Sequence, residues 1–155
     1  MANQVLSQTN SALEQQINLQ IANWTVLYTK LHHFHWYVKG PNFFTLHEKF
    51  EELYTEAAGY MDELAERLLA IGGKPVATLK ETLSTASVKE AEGTLSAEQM
   101  VTAVVEDYRL MAAQLKEGIL AAEEAGDEAS ADLLLGIQTA LDKHIWMLSA
   151  YIANE

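Results

Sequence analysis

Glycine and proline interrupt this chain at only a few points, and those points limit how long each element of secondary structure can be. Both prolines and five of the eight glycines lie at four places, which are Gly40-Pro41, Gly72-Gly73 with the nearby Pro75, Gly93 and Gly126. Because both residue types tend to end helices, the 155 residues divide into four long segments and one short one. We find no internal repeat and no convincing β-strand pattern.

The four long segments have the apolar spacing of amphipathic helices, at steps of three, four or seven residues. They span about residues 4–38, 42–71, 96–125 and 127–152. Ser96 and Gln99 have the form of a capping box, which predicts the start of the third helix. The periodic apolar residues are Leu6, Leu13, Ile17, Ile21, Trp24, Leu27, Leu31 and Phe34 in the first helix, Met100, Val104, Tyr108, Met111 and Leu115 in the third, and Leu133, Leu134, Ile137, Leu141, Ile145 and Leu148 in the fourth.

The connection between the second and third helices is long, and residues 82–90 within it are weakly periodic. Four long helices with one long central connection predict an all-α, ferritin-like four-helix bundle with a short extra helix in that connection. The length of the chain is that of one domain. We therefore expect a single domain over residues 1–155.

Composition narrows the chemistry that such a bundle can perform. A net charge of −12 argues against a nucleic acid as the main partner and favours cations. The chain has no cysteine, so a metal would be bound by oxygen and imidazole nitrogen. No signal peptide and no apolar run of membrane-spanning length is visible. We expect a soluble, cytoplasmic protein.

Four of the five histidines, His32, His33, His35 and His47, cluster around the turn between the first two helices. For His32 and His33 we favour an ordinary role at a helix C-terminus, where cationic side chains complement the dipole. On the second helix His47, Glu51, Asp62 and Glu66 fall at about 0, 40, 60 and 100 degrees, and so share one face. Asp62 and Glu66 could jointly bind a cation, although a solvated acidic face with a Glu63–Arg67 pair also explains them.

His47 and Asp62 are roughly 22 Å apart along the helix, since each residue adds about 1.5 Å. They cannot share a metal within one chain. Two copies of this helix packed antiparallel about a two-fold axis would bring His47 of one beside Asp62 and Glu66 of the other. The small residues Ala57, Ala58 and Gly59 near the midpoint would allow close approach, or could serve packing inside the subunit.

Conventional ferritins and di-iron oxygenases hold their metal inside one bundle through two Glu-x-x-His motifs. Neither motif is present in this sequence. The residues three positions before the five histidines are Thr29, Lys30, His32, Phe44 and Leu141. We therefore exclude a di-iron centre of that kind within one subunit.

Several segments together resemble the signature of the Dps family. They are His35-Trp36-Tyr37 with Gly40, Asn42-Phe43, Leu46-His47-Glu48, Met61-Asp62-Glu63, Ala65-Glu66-Arg67, Ile71-Gly72-Gly73 and Asp142-Lys143-His144-Ile145-Trp146. The resemblance covers essentially the whole chain. It implies a hollow homododecamer that oxidises Fe(II) with hydrogen peroxide in preference to dioxygen, and stores the product as ferric mineral.

The same resemblance implies the residues of the site. It implies that His35 and His47 of one subunit, with Asp62 and Glu66 of its partner, are the iron ligands and form the catalytic ferroxidase centre. Glu51 corresponds to a carboxylate that helps to hold a second, weaker iron. The family pattern also implies two sets of acidic residues: Glu48, Glu51 and Glu52, which would face the cavity and nucleate mineral, and Glu123, Asp127, Glu128 and Asp132, which would line the pores that admit iron. It further implies that Trp36 and Trp146 absorb stray oxidising equivalents. We expect packing to be the larger role of both tryptophans.

Compaction of DNA is the competing function in this family. Members that bind DNA generally use mobile tails rich in Lys and Arg, whose phosphate contacts supply non-specific affinity. Here no basic residue precedes Lys30, and the last four residues are Ile152-Ala153-Asn154-Glu155. We expect no direct DNA binding, apart from bridging by divalent cations. A helical scaffold without a ligand is the third alternative.

Overall fold

The computed structural model describes the backbone of residues 2–154 and the side chains of residues 11–154. Its elements are α1 (Ala2–Tyr37), α2 (Phe43–Ala70), α3 (Leu79–Thr85), α4 (Ala97–Glu124) and α5 (Glu128–Ile152). No strand occurs in residues 2–154. α1 packs along α2, α4 packs along α5, and α1 also contacts α3 and α4. The predicted all-α, ferritin-like bundle is confirmed.

The apolar stripes predicted from the sequence form the core of the bundle. In α1 the residues Leu13, Ile17, Ile21, Trp24, Leu27, Leu31 and Phe34 are buried, while Leu6 lies outside the side chains that are described. The five periodic residues of α4 are all buried, and in α5 only Leu133 and Ile145 are partly exposed. Burial of these side chains is the main favourable contribution to folding.

Helix boundaries follow local chemistry. The capping box is present, since Ser96 Oγ accepts from the Gln99 N–H and the Gln99 side chain accepts from the Ser96 N–H. Gly72 (φ +87°) and Gly126 (φ +70°) adopt left-handed backbone just after α2 and α4, a conformation that costs glycine little.

The short extra helix predicted in the long connection is confirmed as α3, which spans Leu79–Thr85 and overlaps the weakly periodic residues 82–90 only over residues 82–85. Thr78 caps it, because the Glu81 N–H donates to Thr78 Oγ1 at 3.2 Å. The chain after Thr85 is extended because the backbone N–H groups of Ser87 and Val88 both donate to Asn23 Oδ1 on α1. This contact between distant parts of the chain ends the helix.

Two asparagines of α1 hold the long connection against the bundle. Asn18 accepts from the Val76 N–H and donates to the Lys74 carbonyl, at 2.8 and 2.9 Å. Asn23, which is completely buried, also donates to Ser87 Oγ and to Gln114 Oε1 on α4. The connection is therefore fixed at two levels of the same helix.

Candidate functional site

His35 and His47 meet where α1 ends and α2 begins. Nδ1 of His35 donates to the backbone carbonyl of His47 at 2.6 Å, and Nδ1 of His47 donates to the carbonyl of His35 at 2.7 Å. The two rings are stacked, with centroids 3.7 Å apart and planes 14° apart. We call this pair of reciprocal contacts the histidine clamp.

The histidine clamp determines which nitrogen of each ring is available. A carbonyl oxygen only accepts hydrogen bonds, so each Nδ1 must carry the proton, and the neutral ring then keeps a lone pair on Nε2. Outer hydrogen bonds of this kind orient imidazoles that bind metals. His35 is buried (8% exposed) and His47 is half-buried. The clamp thus presents two oriented Nε2 atoms, each with a lone pair that could bind a metal, at one end of the bundle.

The carboxylates of the predicted site divide into two groups. Glu51 lies one turn after His47 and is exposed. Asp62 and Glu66 are also exposed, but Asp62 lies about 22 Å along α2 from His47 and Glu66 one turn beyond it. In the part of the chain with described side chains, no three His, Asp or Glu residues come together as a metal site. One subunit therefore brings only His35 and His47 into contact, with Glu51 one turn further along α2, and leaves Asp62 and Glu66 apart from them.

Arg67 does not neutralise the distant carboxylates. Its Nη2 donates to Asp127 Oδ1 at 2.8 Å and its Nε donates to Ser130 Oγ at 2.9 Å. The alternative of a Glu63–Arg67 pair is therefore wrong, because Arg67 is turned towards the start of α5. Neither Asp62 nor Glu66 has a hydrogen bond or ion pair with any side chain described from residue 11 onwards.

His32 and His33 lie before the last turn of α1, where the dipole effect has faded. The helix-end explanation for them is therefore wrong. His32 Nδ1 donates to the Tyr28 carbonyl at 2.8 Å, and its ring stacks on Tyr54 at 3.7 Å. His33 packs near Tyr37. Packing against aromatic side chains, and not an interaction with the dipole at the helix C-terminus, accounts for these two residues.

Tyr54 is a residue at this junction that the sequence analysis did not single out. Its hydroxyl donates to Glu51 Oε1 at 3.3 Å, and its ring meets His35 edge-on at 5.4 Å. Burial and the nearby Glu51 carboxylate raise the pKa of Tyr54, so the phenol remains a donor. The signal for it was its position three residues after Glu51, on the adjacent turn of α2.

Comparisons with known proteins agree with this architecture. The ferritin-like domain family matches residues 14–155. General stress protein 20U of Bacillus subtilis is 61% identical over 140 residues, covering 90% of this chain and 97% of that protein. DNA protection during starvation protein 2 of Bacillus anthracis is 58% identical, covering 92% and 98%. The crystal structure of Dps from Staphylococcus aureus superimposes with a TM-score of 0.91 at 56% identity, covering 92% and 96%.

This chain belongs to the Dps family. Membership places it among ferritin-like proteins that serve iron storage and protection against oxidative damage. None of the helices described over residues 2–154 is long and apolar enough to cross a membrane.

The tryptophans that resemble Dps aromatics lie outside the subunit core. Trp36 is 66% exposed and Trp146 is 67% exposed. Neither tryptophan therefore belongs to the core of its own subunit, although the Trp36 ring lies beside that of His32 with centroids 5.2 Å apart. Packing of the two tryptophans against another subunit stays a prediction.

The small residues near the middle of α2 differ in exposure. Ala57 is completely buried in its own subunit and serves packing there. Gly59 is exposed, and a Cβ added to it would meet nothing within 4 Å.

The remaining acidic residues expected of a Dps subunit differ in their surroundings. Glu48 is exposed, and Glu52 is exposed but pairs with Lys49 at 2.7 Å. Nearby, Nε2 of His144 donates to Glu56 at 2.7 Å. Burial opposes ionisation of Glu56, yet hydrogen bonds from His144 and Tyr60 lower its pKa. These contacts join α2 to α5 along the acidic face of α2.

Around the turn between α4 and α5, the carboxylates of Glu123, Glu128 and Asp132 are exposed. Asp127 is different, because it caps α5 by accepting from the Ser130 N–H at 3.0 Å and also pairs with Arg67. Partial burial alone would raise the pKa of Asp127, but the Ser130 hydrogen bonds and the Arg67 guanidinium lower it below its ordinary value. Asp127 thus joins α5 to the end of α2.

We expect Asp127→Ala to destabilise the subunit by about 1–2 kcal/mol at neutral pH, since it removes the helix cap and the Arg67 partner. Asp127→Asn is the matched control, because asparagine caps equally well but carries no charge. The folded pKa is lowered, so the charge stabilises above the unfolded pKa of about 4 and the gain is lost as pH falls through the folded pKa. Urea unfolding from pH 7 to pH 3 measures both effects. A gap between wild type and Asp127→Asn that does not shrink as the pH falls below the unfolded pKa of about 4 would contradict the assignment.

Proposed function

We propose that this Dps subunit pairs with a second copy through α2 about a two-fold axis, and that each pair forms two ferroxidase centres. In each centre His35 and His47 of one subunit bind Fe(II) together with the partner's Asp62 and the partner's Glu66. Glu51 helps to hold a second, weaker iron. Iron is the substrate, and the ferric product is stored.

One observation supports this proposal above the others. The histidine clamp presents two lone pairs at one end of α2, while Asp62 and Glu66 are exposed on the same face about 22 Å away. In an antiparallel pair of α2 helices, the histidine end of each helix lies beside the Asp62 and Glu66 end of the other, so that two such sites form in each pair. The midpoint falls near Thr55 and Gly59, which are both exposed, and the missing side chain of Gly59 lets the second helix approach.

The donor set suits the proposed reaction. Imidazole nitrogen and carboxylate oxygen bind Fe(II), and hard oxygen donors favour the ferric product. In the proposed step two Fe(II) ions each give one electron to hydrogen peroxide, the O–O bond breaks, and two hydroxide ions form. Because the peroxide receives both electrons together, no hydroxyl radical is released. Peroxide preference over dioxygen is part of this proposal.

The rest of the proposed cycle uses the exposed acidic residues. The subunits form a hollow homododecamer in the cytoplasm, and Glu48, Glu51 and Glu52 nucleate ferric mineral on its inner face. Glu123, Glu128 and Asp132 line the pores that admit Fe(II), where repeated carboxylates focus a negative potential. Asp127 lies at the same turn as part of the proposed pore lining, although its charge is paired with Arg67 and its side chain caps α5. The net charge of −12 per chain favours the gathering of cations.

The reaction predicts a stoichiometry of about two Fe(II) oxidised per hydrogen peroxide consumed, because each iron supplies one of the two electrons. Titration of anaerobic, Fe(II)-loaded protein with peroxide measures it, and a spin trap reports free hydroxyl radical. We expect little trapped radical and a soluble ferric product. Bovine serum albumin at equal mass is the control. Radical yield and ferric precipitation equal to the control would refute the proposal.

Direct DNA binding is the second candidate, since several relatives are named DNA protection during starvation protein. We propose that this chain does not use it. Residues 1–29 contain no lysine or arginine, and the amine of Lys30 pairs with Asp107 at 2.7 Å inside the subunit.

A gel-shift assay at low salt separates the two functions. We expect no retardation of linear DNA in the absence of divalent cations, because the surface is acidic and phosphate contacts need basic side chains. Added Mg²⁺ tests bridging by cations. Robust retardation in EDTA would contradict the proposal.

A further inference from the structure

Tyr54 contacts two of the proposed iron ligands of its own subunit. Its hydroxyl donates to Oε1 of Glu51 at 3.3 Å, and the edge of its ring meets the His35 ring at 5.4 Å with the planes at 85°. Among the described side chains, only Tyr54 makes a hydrogen bond to the carboxylate of Glu51, whereas Thr55 Oγ1 donates to the Glu51 backbone carbonyl at 2.8 Å. Tyr54 therefore bridges the end of α1 and the first turns of α2 at the site itself.

The Tyr54 ring is itself held in place. His32 stacks on it with centroids 3.7 Å apart and planes 21° apart, and Tyr28 meets it edge-on at 6.0 Å. His32 in turn is fixed by its hydrogen bond to the Tyr28 carbonyl. Because these contacts come from α1 and Tyr54 belongs to α2, the ring has little freedom to turn away from Glu51.

We propose that Tyr54 is a positioning residue of the ferroxidase centre, in which its hydroxyl orients Glu51 and its ring fixes His35. This inference rests on the proposed function. A carboxylate has two oxygens and several lone pairs. With Oε1 held by the phenol, Oε2 is left to face a metal. The neighbouring edge contact keeps the His35 ring, and so its Nε2, in one orientation.

The two parts of the side chain have separable effects. Tyr54→Phe keeps the ring and the contact with His35 but removes the donor to Glu51. Tyr54→Leu removes both. If Glu51 serves the weaker metal position and His35 the tighter one, the phenylalanine variant weakens only the second class of binding. The leucine variant weakens both.

Anaerobic titration of the assembled protein with Co(II) chloride, followed by visible absorption and calorimetry, resolves the two classes without iron oxidation. We expect Tyr54→Phe to weaken the second class by about 10-fold, as is usual when an outer hydrogen bond to a ligand is lost, with the first class unchanged. Tyr54→Leu weakens both classes. Tyr151→Phe, at a partly exposed tyrosine of α5, is the matched control and titrates as wild type.

Two reference variants separate failure of this inference from failure of the proposed function. Glu51→Gln loses the second class, and His47→Ala weakens the first. If both do so while Tyr54→Phe matches wild type, the role of Tyr54 is refuted and the site remains. If Glu51→Gln keeps both classes, the inference falls with the assignment of Glu51. If His47→Ala also titrates as wild type, the ferroxidase site itself is wrong. Size-exclusion chromatography and thermal unfolding verify that each variant assembles.

Discussion

A His47→Ala subunit and an Asp62→Ala subunit, each inactive in its own shell, regain Fe(II) oxidation when they are assembled together. Each change alone removes a ligand from every centre, so we expect losses of roughly 100-fold or more, above the usual cost of losing an outer contact. In a mixed pair, one centre carries both changes and the other carries neither. With equal amounts of the two subunits and random pairing, half of the pairs are mixed, so about a quarter of all centres have the complete wild-type ligand set.

Co-expression of the two subunits with different affinity tags, followed by purification on both tags, provides the mixed shells. The initial rate of peroxide-dependent Fe(II) oxidation is the measurement. The control is a mixture of His47→Ala with His35→Ala, both on the histidine side, which leaves no intact centre in any pair. Recovery in the control, or none in the test mixture, would show that the ligands do not come from two subunits in the proposed way.

Asn23→Ala is expected to reduce the free energy of unfolding by about 3 kcal/mol. The reason is that the Ser87 and Val88 N–H groups lose their common acceptor, Asn23 Oδ1, while Gln114 Oε1 loses the Asn23 amide as a donor. Each buried group left unpaired costs about 1–3 kcal/mol. The connection between α2 and α4 should loosen as a consequence.

Asn18→Ala provides the comparison, because Asn18 holds the same connection through bonds nearer to solvent. We expect a loss of only about 1 kcal/mol there. Urea unfolding at one fixed protein concentration compares the variants, since the stability of an oligomer depends on concentration. Equal losses in the two variants would mean that burial of the Asn23 network contributes little.

Most of the fold could be predicted because local signals agree with packing. Glycine and proline mark the helix ends, the apolar stripes mark the core, and Ser96 with Gln99 marks a cap. The short helix α3 was predicted to exist, but periodicity did not determine its bounds. What ends that helix is Asn23, more than 60 residues away in sequence, and periodicity within a short window contains no information on such a contact.

The candidate site could be predicted only in its residue types and spacing. The sequence indicates which side chains share a face of α2, because helical geometry is regular. It does not indicate that Arg67 turns to Asp127, that Tyr54 contacts Glu51, or that each Nδ1 of the histidine clamp finds a carbonyl. These contacts depend on the angle between two helices and on rotamers, which are fixed only when the bundle packs.

The histidine clamp also bears on when the chemistry begins. Both imidazoles are already oriented by contacts within one subunit. Under the proposed mechanism, a second subunit then has only to supply two carboxylates. A newly made subunit holds half of a centre in finished form and, under the proposed mechanism, cannot oxidise iron by itself. Under the proposed mechanism, oxidation therefore begins only after two subunits have paired, which is the first step towards the shell that would store the ferric product.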